Sequence, residues 1–285
     1  RRPPRFTLLP YTTLFRSLSA SLISRLNDSE MVTTISDDMF APDVIRDPFR
    51  YYGRIRDEDP VHWNELYQLW VITRHDDLVW LARNHEQFSN SVWKNDLLPA
   101  YPAIYASNQE LYDFISMLAS GEKSGVFTRQ QVLVNTSPLL AAGHETTINL
   151  ICNGTLALMN NRSQWDLLKT DTQGLMVRAT EEALRYDPPV KSIQRMATEN
   201  VEIRGKVLKK EDRLRWFTPS ANRDPNKFED PDTFDITRWP NPHVAFGAGV
   251  HHCLGATIAR VEGQEVFTAL AERYQIGRAS RRDRV

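Results

Sequence analysis

The residues best able to do chemistry form one run near the C-terminus, Phe246-Gly247-Ala248-Gly249-Val250-His251-His252-Cys253-Leu254-Gly255. Three glycines frame a single cysteine just ahead of an amphipathic stretch. Glycine admits positive φ and lets a flat ligand approach the backbone closely. A cysteine at a helix N-terminus faces backbone N–H groups, which favour its thiolate. Thiolate is the form that ligates iron, and it donates electron density that assists O–O cleavage. The alternative is a loop holding an inert cysteine, and the number of spaced matches in the run argues against it.

Two further groups carry chemistry. Ala142-Gly143-His144-Glu145-Thr146-Thr147 places an acid beside a hydroxyl in the middle of a largely apolar run. A titratable group next to a hydroxyl can relay protons, and a polar patch at a surface would have the same residues. The zinc motif H-E-x-x-H would need a second histidine where Ile148 stands. In Glu182-Ala183-Leu184-Arg185 the i,i+3 spacing puts acid and base on one helix face, where an ordinary surface ion pair is the competing reading. His243, His251, His252 and Cys253 lack the paired spacing of a structural zinc site. Cys152, in an apolar helical context, reads as a core cysteine.

Several elements must hold these groups. Pro60-Val61-His62-Trp63 and Leu69-Trp70-Val71-Ile72 read as two short strands around a polar turn, followed by a helix from Asp76 to Asn84. Leu111–Ser120 is a short amphipathic helix ending at Gly121. Thr128 is an N-cap, with Gln131 completing a capping box. From there a mostly buried helix runs to about Met159, with Pro138 expected to kink or break it. Another helix spans Leu175 to Tyr186 and stops before Asp187-Pro188-Pro189. Short strands follow at Ile193–Ala197, Val201–Ile203 and Lys206–Leu208. Residues 219–242 hold five prolines and little periodicity, so they form an ordered but irregular stretch. A last helix after Cys253 carries Ile258, Val261, Phe267, Leu270 and Tyr274 at helical spacing. The fold class is mainly α with small β-sheets, α+β.

Composition narrows the functions. The chain has 285 residues, 41% hydrophobic and 25% charged, as in an ordinary soluble globular protein. Two cysteines exclude a disulfide scaffold and suit a reducing, cytoplasmic setting. No apolar run reaches the ~18 residues of a membrane span. The formal charge of −1 is uneven: residues 1–30 and 276–285 each carry +3, which leaves −7 on residues 31–275. An acidic body argues against nucleic acid as a partner. The basic ends resemble read-through sequence more than a transit peptide, and Met31 opens a native-like start. We therefore treat 1–30 and 276–285 as non-native extensions of a single domain, 31–275.

The run F-G-x-G-x-H-x-C-x-G resembles the haem-binding loop of the cytochrome P-450 monooxygenases. Three other patterns of that family follow in order: Ala142–Thr147, Glu182–Arg185, and Ala221-Asn222-Arg223-Asp224-Pro225 through Phe228 and Pro231. The resemblance implies haem b as cofactor, with dioxygen as co-substrate. It makes Cys253 the axial iron ligand in a loop built by Gly247, Gly249 and Gly255, with Phe246 packed beside the ligand. His251 and Arg195 would reach the propionates. Ala142 and Gly143 would let the central helix open over the haem, and Glu145 with Thr146 would relay protons to dioxygen. Glu182 and Arg185 would pair with Arg238 in a structural role, while Val190 and Ile193 would line the substrate pocket.

The implied activity is insertion of one oxygen atom into a small apolar molecule, with electrons from a ferredoxin- or flavodoxin-type partner and no membrane. The resemblance covers about residues 40–90 and 111–275. Only 22 residues separate Phe88 from Leu111, where the family has several helices, and the family's final strands after Tyr274 are missing. The expected fold is thus an incomplete P-450 fold, its distal side partly open and its central helix exposing apolar surface. Such a site would leak protons and reduced oxygen species. The alternative reading is a non-catalytic haem-binding fragment or a misassembled, inactive gene product.

Overall fold

The computed structural model describes residues 38–90 and 114–274. The two basic ends, the boundaries after 30 and 275, and most of the segment between Phe88 and Leu111 lie outside them.

Helix α1 (Pro42–Arg46) and helix α2 (Pro48–Glu58) each begin with a proline, whose missing N–H is no loss in a first turn. Strands β1 (Val61–Asn64) and β2 (Leu69–Ile72) pair antiparallel, and helix α3 (His75–Arg83) follows. Strand β3 is Phe88–Ser89, and helix α4 spans Phe114–Lys123, running past Gly121 where the sequence predicts its end.

Helix α5 (Arg129–Asn160) is the long one: 32 residues, roughly 48 Å at the α-helical rise. Its capping box is complete. Thr128 Oγ1 accepts from the Gln131 backbone N–H, and Gln131 Oε1 accepts from the Thr128 backbone N–H. The helix runs unbroken through position 138, where the sequence predicts a kink or break. Helices α6 (Arg162–Thr170) and α7 (Thr172–Tyr186) come next; α6 was not anticipated from sequence.

The main sheet has the order β1-β2-β7-β4-β3, with β4 at Ser192–Ala197 and β7 at Arg213–Phe217. Strand β7 is its centre, parallel to β2 and antiparallel to β4. Its charged alternation, Arg213-Leu214-Arg215-Trp216, hid it from the sequence reading. Strands β5 (Val201–Ile203) and β6 (Lys206–Leu208) form a separate hairpin. Helix α8 (Thr218–Ala221) opens the irregular stretch, and helix α9 (Ala256–Arg273) closes the described chain.

The helical core joins α5, α6, α7 and α9 around Leu150, Leu158, Trp165, Leu184 and Phe267. Close approach sets its shape. A Cβ on Gly154 would sit 2.4 Å from Phe267 Cζ, and one on Gly263 would sit 3.2 Å from both Leu150 and Thr180. On α9 the buried line is therefore Ala256, Gly263, Phe267 and Ala271, while Ile258, Val261 and Tyr274 stay exposed against expectation. Cys152 is exposed too, not in the core. It stands about 200° round α5 from buried Leu150, on the opposite face. The N-terminal half of α5 exposes Leu139 and Leu140, so burial along most of that helix does not hold.

Candidate functional site

One face of α5 carries Leu139, Ala142, Gly143, Thr146, Thr147 and Leu150, the i, i+3, i+4 repeat of a single stripe. That stripe forms one wall of a cavity of about 560 Å3, within the usual size of ligand sites. The opposite wall is the loop after β7 and α8, from Ala245 to Ala248, then His251 and Cys253–Gly255, continuing into Ile258, Ala259 and Glu262 of α9. The floor comes from Leu184 of α7, Pro189 and Val190 just after it, Ile193 and Arg195 of β4, and Trp216 of β7. Period-two alternation explains the floor: Ile193 faces Trp216 and Arg195 faces Leu214 across the ladder, so all point to one side of the sheet.

The cysteine loop is held mostly by its own backbone. Gly247 N–H donates to Val244 O (2.9 Å), His252 N–H to Gly249 O (3.1 Å) and Cys253 N–H to Phe246 O (2.9 Å). Two glycines are required. Gly247 has φ +72° and Gly249 φ +70°, the left-handed region that side chains resist. A Cβ on Gly249 would also lie 2.5 Å from the Ala82 carbonyl oxygen, because the loop rests on the last turn of α3. Its glycine thus serves loop-to-helix contact. Cys253 is exposed, two residues before the N-cap Gly255 of α9. Neighbouring Leu254 is 85% exposed and Ile258 66%, so the cavity is open along this edge.

Of the residues singled out by sequence, Ala142, Gly143, Thr146, Val190, Ile193, Arg195, Phe246, Gly247, His251, Cys253 and Gly255 share this cavity. Gly249 does not line it. Neither does Glu145, which falls roughly 130° round the helix from the centre of the stripe and is exposed. Glu145 and Thr146 are therefore adjacent in sequence but face different surroundings. Thr146 Oγ1 donates to the Ala142 carbonyl oxygen.

Arg195 is 9% exposed. Its Nη1 donates to the Gln194 carbonyl oxygen (2.8 Å), and its guanidinium carbon lies 4.7 Å from the centre of the Trp216 ring. Among the described residues it has no carboxylate partner, and burial alone pushes its pKa below the ordinary arginine value. A buried cation without an anion is costly, and an anionic group in the cavity would offset that cost.

Beneath the loop, Glu182 and Arg185 are both fully buried. Arg185 Nε and Nη2 each donate to the Glu182 carboxylate at 2.8 Å. The rest of that guanidinium donates to the carbonyls of Asn222, Pro231 and Thr233. Glu182 also accepts from the Asp235 backbone N–H (2.8 Å) and Asn241 Nδ2 (3.0 Å), and forms an ion pair with Arg238, whose Nε lies 3.3 Å away. The sequence points to Glu182, Arg185 and Arg238 but not to Glu181 and Arg260 next to them, and it offers His243 only as a member of a rejected zinc set. His243 Nε2 and the Arg260 guanidinium both bond Glu181, at 3.1 Å and at 2.6 and 3.0 Å. No local spacing joins these three, so sequence held no signal for them.

A cytochrome P450 family model matches residues 82–283. The chain is 41% identical over 162 residues to the biotin biosynthesis cytochrome P450 of Bacillus subtilis, covering 56% of this chain and 40% of that protein. It is 40% identical over 168 residues to the cytochrome P450 monooxygenase PikC of Streptomyces venezuelae, covering 58% and 40%. The chain thus spans about 40% of the length of these curated relatives. CYP109E1 of Bacillus megaterium, solved with testosterone, superposes with a TM-score of 0.66 at 26% identity, over 80% of this chain and 91% of that one. CalO2 superposes with a TM-score of 0.72 at 22% identity, over 86% and 93%. The shared fold reaches further than the close sequence match. Its mainly helical architecture with small sheets is the P450 fold, and the chain belongs to the cytochrome P450 family.

Proposed function

We propose that the cavity holds haem b, with Cys253 Sγ as the residue that would bind its iron, and that the protein is a haem-thiolate monooxygenase. The observation that carries this reading is the meeting on one apolar cavity of Cys253, the buried cation of Arg195, without a carboxylate partner among the described residues, and the stripe of α5 that includes Thr146. The residues fit the group. Arg195, in the floor, offers the positive charge a propionate needs, with exposed His251 on the loop wall of the same cavity. A Cβ on Gly143 would meet nothing within 4 Å, so the absence of a side chain there keeps the cavity clear opposite the loop.

Haem bound there supplies thiolate-assisted cleavage of dioxygen. In the net reaction one oxygen atom enters a C–H bond of a small apolar substrate. The other would leave as water, taking two protons from solvent and two electrons from a ferredoxin- or flavodoxin-type donor in the cytoplasm. Val190 and Ile193 give the substrate apolar contact, and among the described residues the Asp, Glu, Lys or Arg side chains lining the cavity are Arg195 and Glu262. Thr146 Oγ1 lines the cavity with its hydrogen given to the Ala142 carbonyl, so its lone pairs accept a proton, and it would pass its own on only when its O–H turns from that carbonyl. Glu145, exposed, exchanges protons with solvent and hands them on through water.

The open edge at Leu254 and Ile258 and the outward position of Glu145 favour a second reading, a haem-binding fragment that does not turn over. No described helix is long and apolar enough to cross a membrane. Haem-loaded protein is reduced and exposed to carbon monoxide. A thiolate-type Soret band, lost in Cys253→Ser, with substrate turnover supports the enzyme. A neutral-thiol band without turnover selects the fragment, and no haem uptake refutes both.

A further inference from the structure

Adjacent residues on α7, Glu181 and Glu182, are both buried, and each holds a different piece of chain. Glu182 holds the irregular stretch before the cysteine loop, through Arg185, Arg238 and the Asp235 amide. Glu181 reaches past it. Its carboxylate takes two parallel bonds from Arg260 Nε and Nη2 on α9, the bidentate geometry that fixes a guanidinium plane. The same carboxylate takes His243 from the chain just ahead of the loop. Ala245 N–H donates to His243 Nδ1 (3.2 Å), so Nδ1 is the acceptor and Nε2 carries the hydrogen given to Glu181.

The clamp ends on the ring beside the cysteine. Arg260 Cζ lies 4.5 Å from the centre of the Phe246 ring, within cation–π distance. The Phe246 carbonyl in turn receives the Cys253 N–H. One chain of contacts therefore runs from a buried carboxylate to the backbone of the cysteine. Burial would raise the Glu181 pKa, yet bonds from His243 and Arg260 outweigh it and hold the group down at about 2, so it stays ionised.

We infer that Glu181, His243 and Arg260 are positioning residues that hold the Phe246 ring and, through its carbonyl, set the Cys253 backbone in the geometry that presents Sγ to the cavity. The inference deepens the haem-thiolate reading and rests on it for the meaning of that geometry. The physical coupling, however, exists in the protein without haem and can be measured there.

The test uses amide hydrogen exchange on the full chain without haem, comparing wild type with Glu181→Gln, Arg260→Gln and Arg260→Lys. Arg273→Gln, near the end of the same helix, serves as control. We expect the Cys253 amide to exchange ~10-fold faster in Glu181→Gln and Arg260→Gln, with β4 and β7 amides unchanged. Arg260→Lys, which keeps a cation over the ring, should retain most of the protection. After haem loading and reduction under carbon monoxide, the first two variants should show a larger share of neutral-thiol band than wild type. Unchanged Cys253 exchange in both glutamine variants overturns the inference. So does a uniform rise across the sheet, which would mean a general loss of stability, and so does an Arg260→Lys variant no better than Arg260→Gln. If wild type takes up no haem, the haem-thiolate reading fails, while the exchange data still decide whether the clamp exists.

Discussion

Replacing Gly249 with alanine separates two reasons for a glycine, and the structure assigns each a magnitude. Gly205, at the tip of the β5–β6 hairpin, has φ +75°, and a Cβ there would meet nothing within 4 Å. Gly205→Ala therefore costs only the left-handed backbone penalty, ~1 kcal/mol. Gly249 has nearly the same φ, +70°, but its Cβ would lie 2.5 Å from the Ala82 oxygen, 3.1 Å from the Ala82 carbonyl carbon and 3.2 Å from Arg83 Cα. All three are backbone atoms of a helix end, so no side chain can swing away. Overpacking of that kind adds ~2 kcal/mol, for ~3 kcal/mol in total. Relief requires the loop to lift off α3, and the His252 N–H to Gly249 O bond would carry that shift toward Cys253. Urea unfolding of both variants reads the difference. With a slope of ~3 kcal/mol per molar for a chain this size, the midpoint should fall ~1 M for Gly249→Ala and ~0.3 M for Gly205→Ala. Haem affinity should drop only in the former. Equal midpoints for the two variants would refute the contact between loop and helix as the reason for this glycine.

Three further outcomes follow from the same geometry. Arg195→Leu should leave the stability of the haem-free protein within ~1 kcal/mol of wild type, because it removes a desolvated cation along with its bonds, yet weaken haem binding at least 10-fold, checked by urea unfolding and haem titration. Glu182→Ala, which strands fully buried Arg185, should cost ~3–5 kcal/mol in the same unfolding assay, whereas exposed Glu145→Ala should stay within ~0.5 kcal/mol. Glu181 titrates near 2 in the folded protein, below its ordinary 4.5. Its contribution is therefore complete above the unfolded value and is lost as pH falls from about 4.5 towards about 2. Discounted for partial solvent access, it amounts to ~2 kcal/mol. Glu181→Gln should accordingly shift the unfolding midpoint much more at pH 6 than at pH 2.5.

What could be read from sequence was local or patterned. The Thr128–Gln131 capping box and the Glu182–Arg185 spacing lie within one or two helical turns, where the covalent chain itself brings partners together. The glycine-framed cysteine run and its companion motifs identified the family, and that resemblance named Arg195 and Ile193, while their common face came from the register of β4 on β7. Helix α6 and the central strand β7 went unread, β7 because its arginines mask the apolar partners Leu214 and Trp216 that the sheet buries on one side.

Burial and partnership belonged to the tertiary structure. Apolar content does not say which face another helix will cover, and so Ile258 and Cys152 lie exposed while Gly263 lies at a helix crossing. Periodicity alone carries Glu145 away from the cavity stripe, but only packing shows which stripe meets the cysteine loop. Gly249 is glycine because Ala82, 167 positions earlier, approaches within a bond's reach of where a Cβ would go. Glu181 meets Arg260 across 79 positions. Sequence determined the chemistry available and the family that uses it. The fold decided which groups face one cavity and what holds them there, because contacts between distant segments arise only when the helices and sheet have packed.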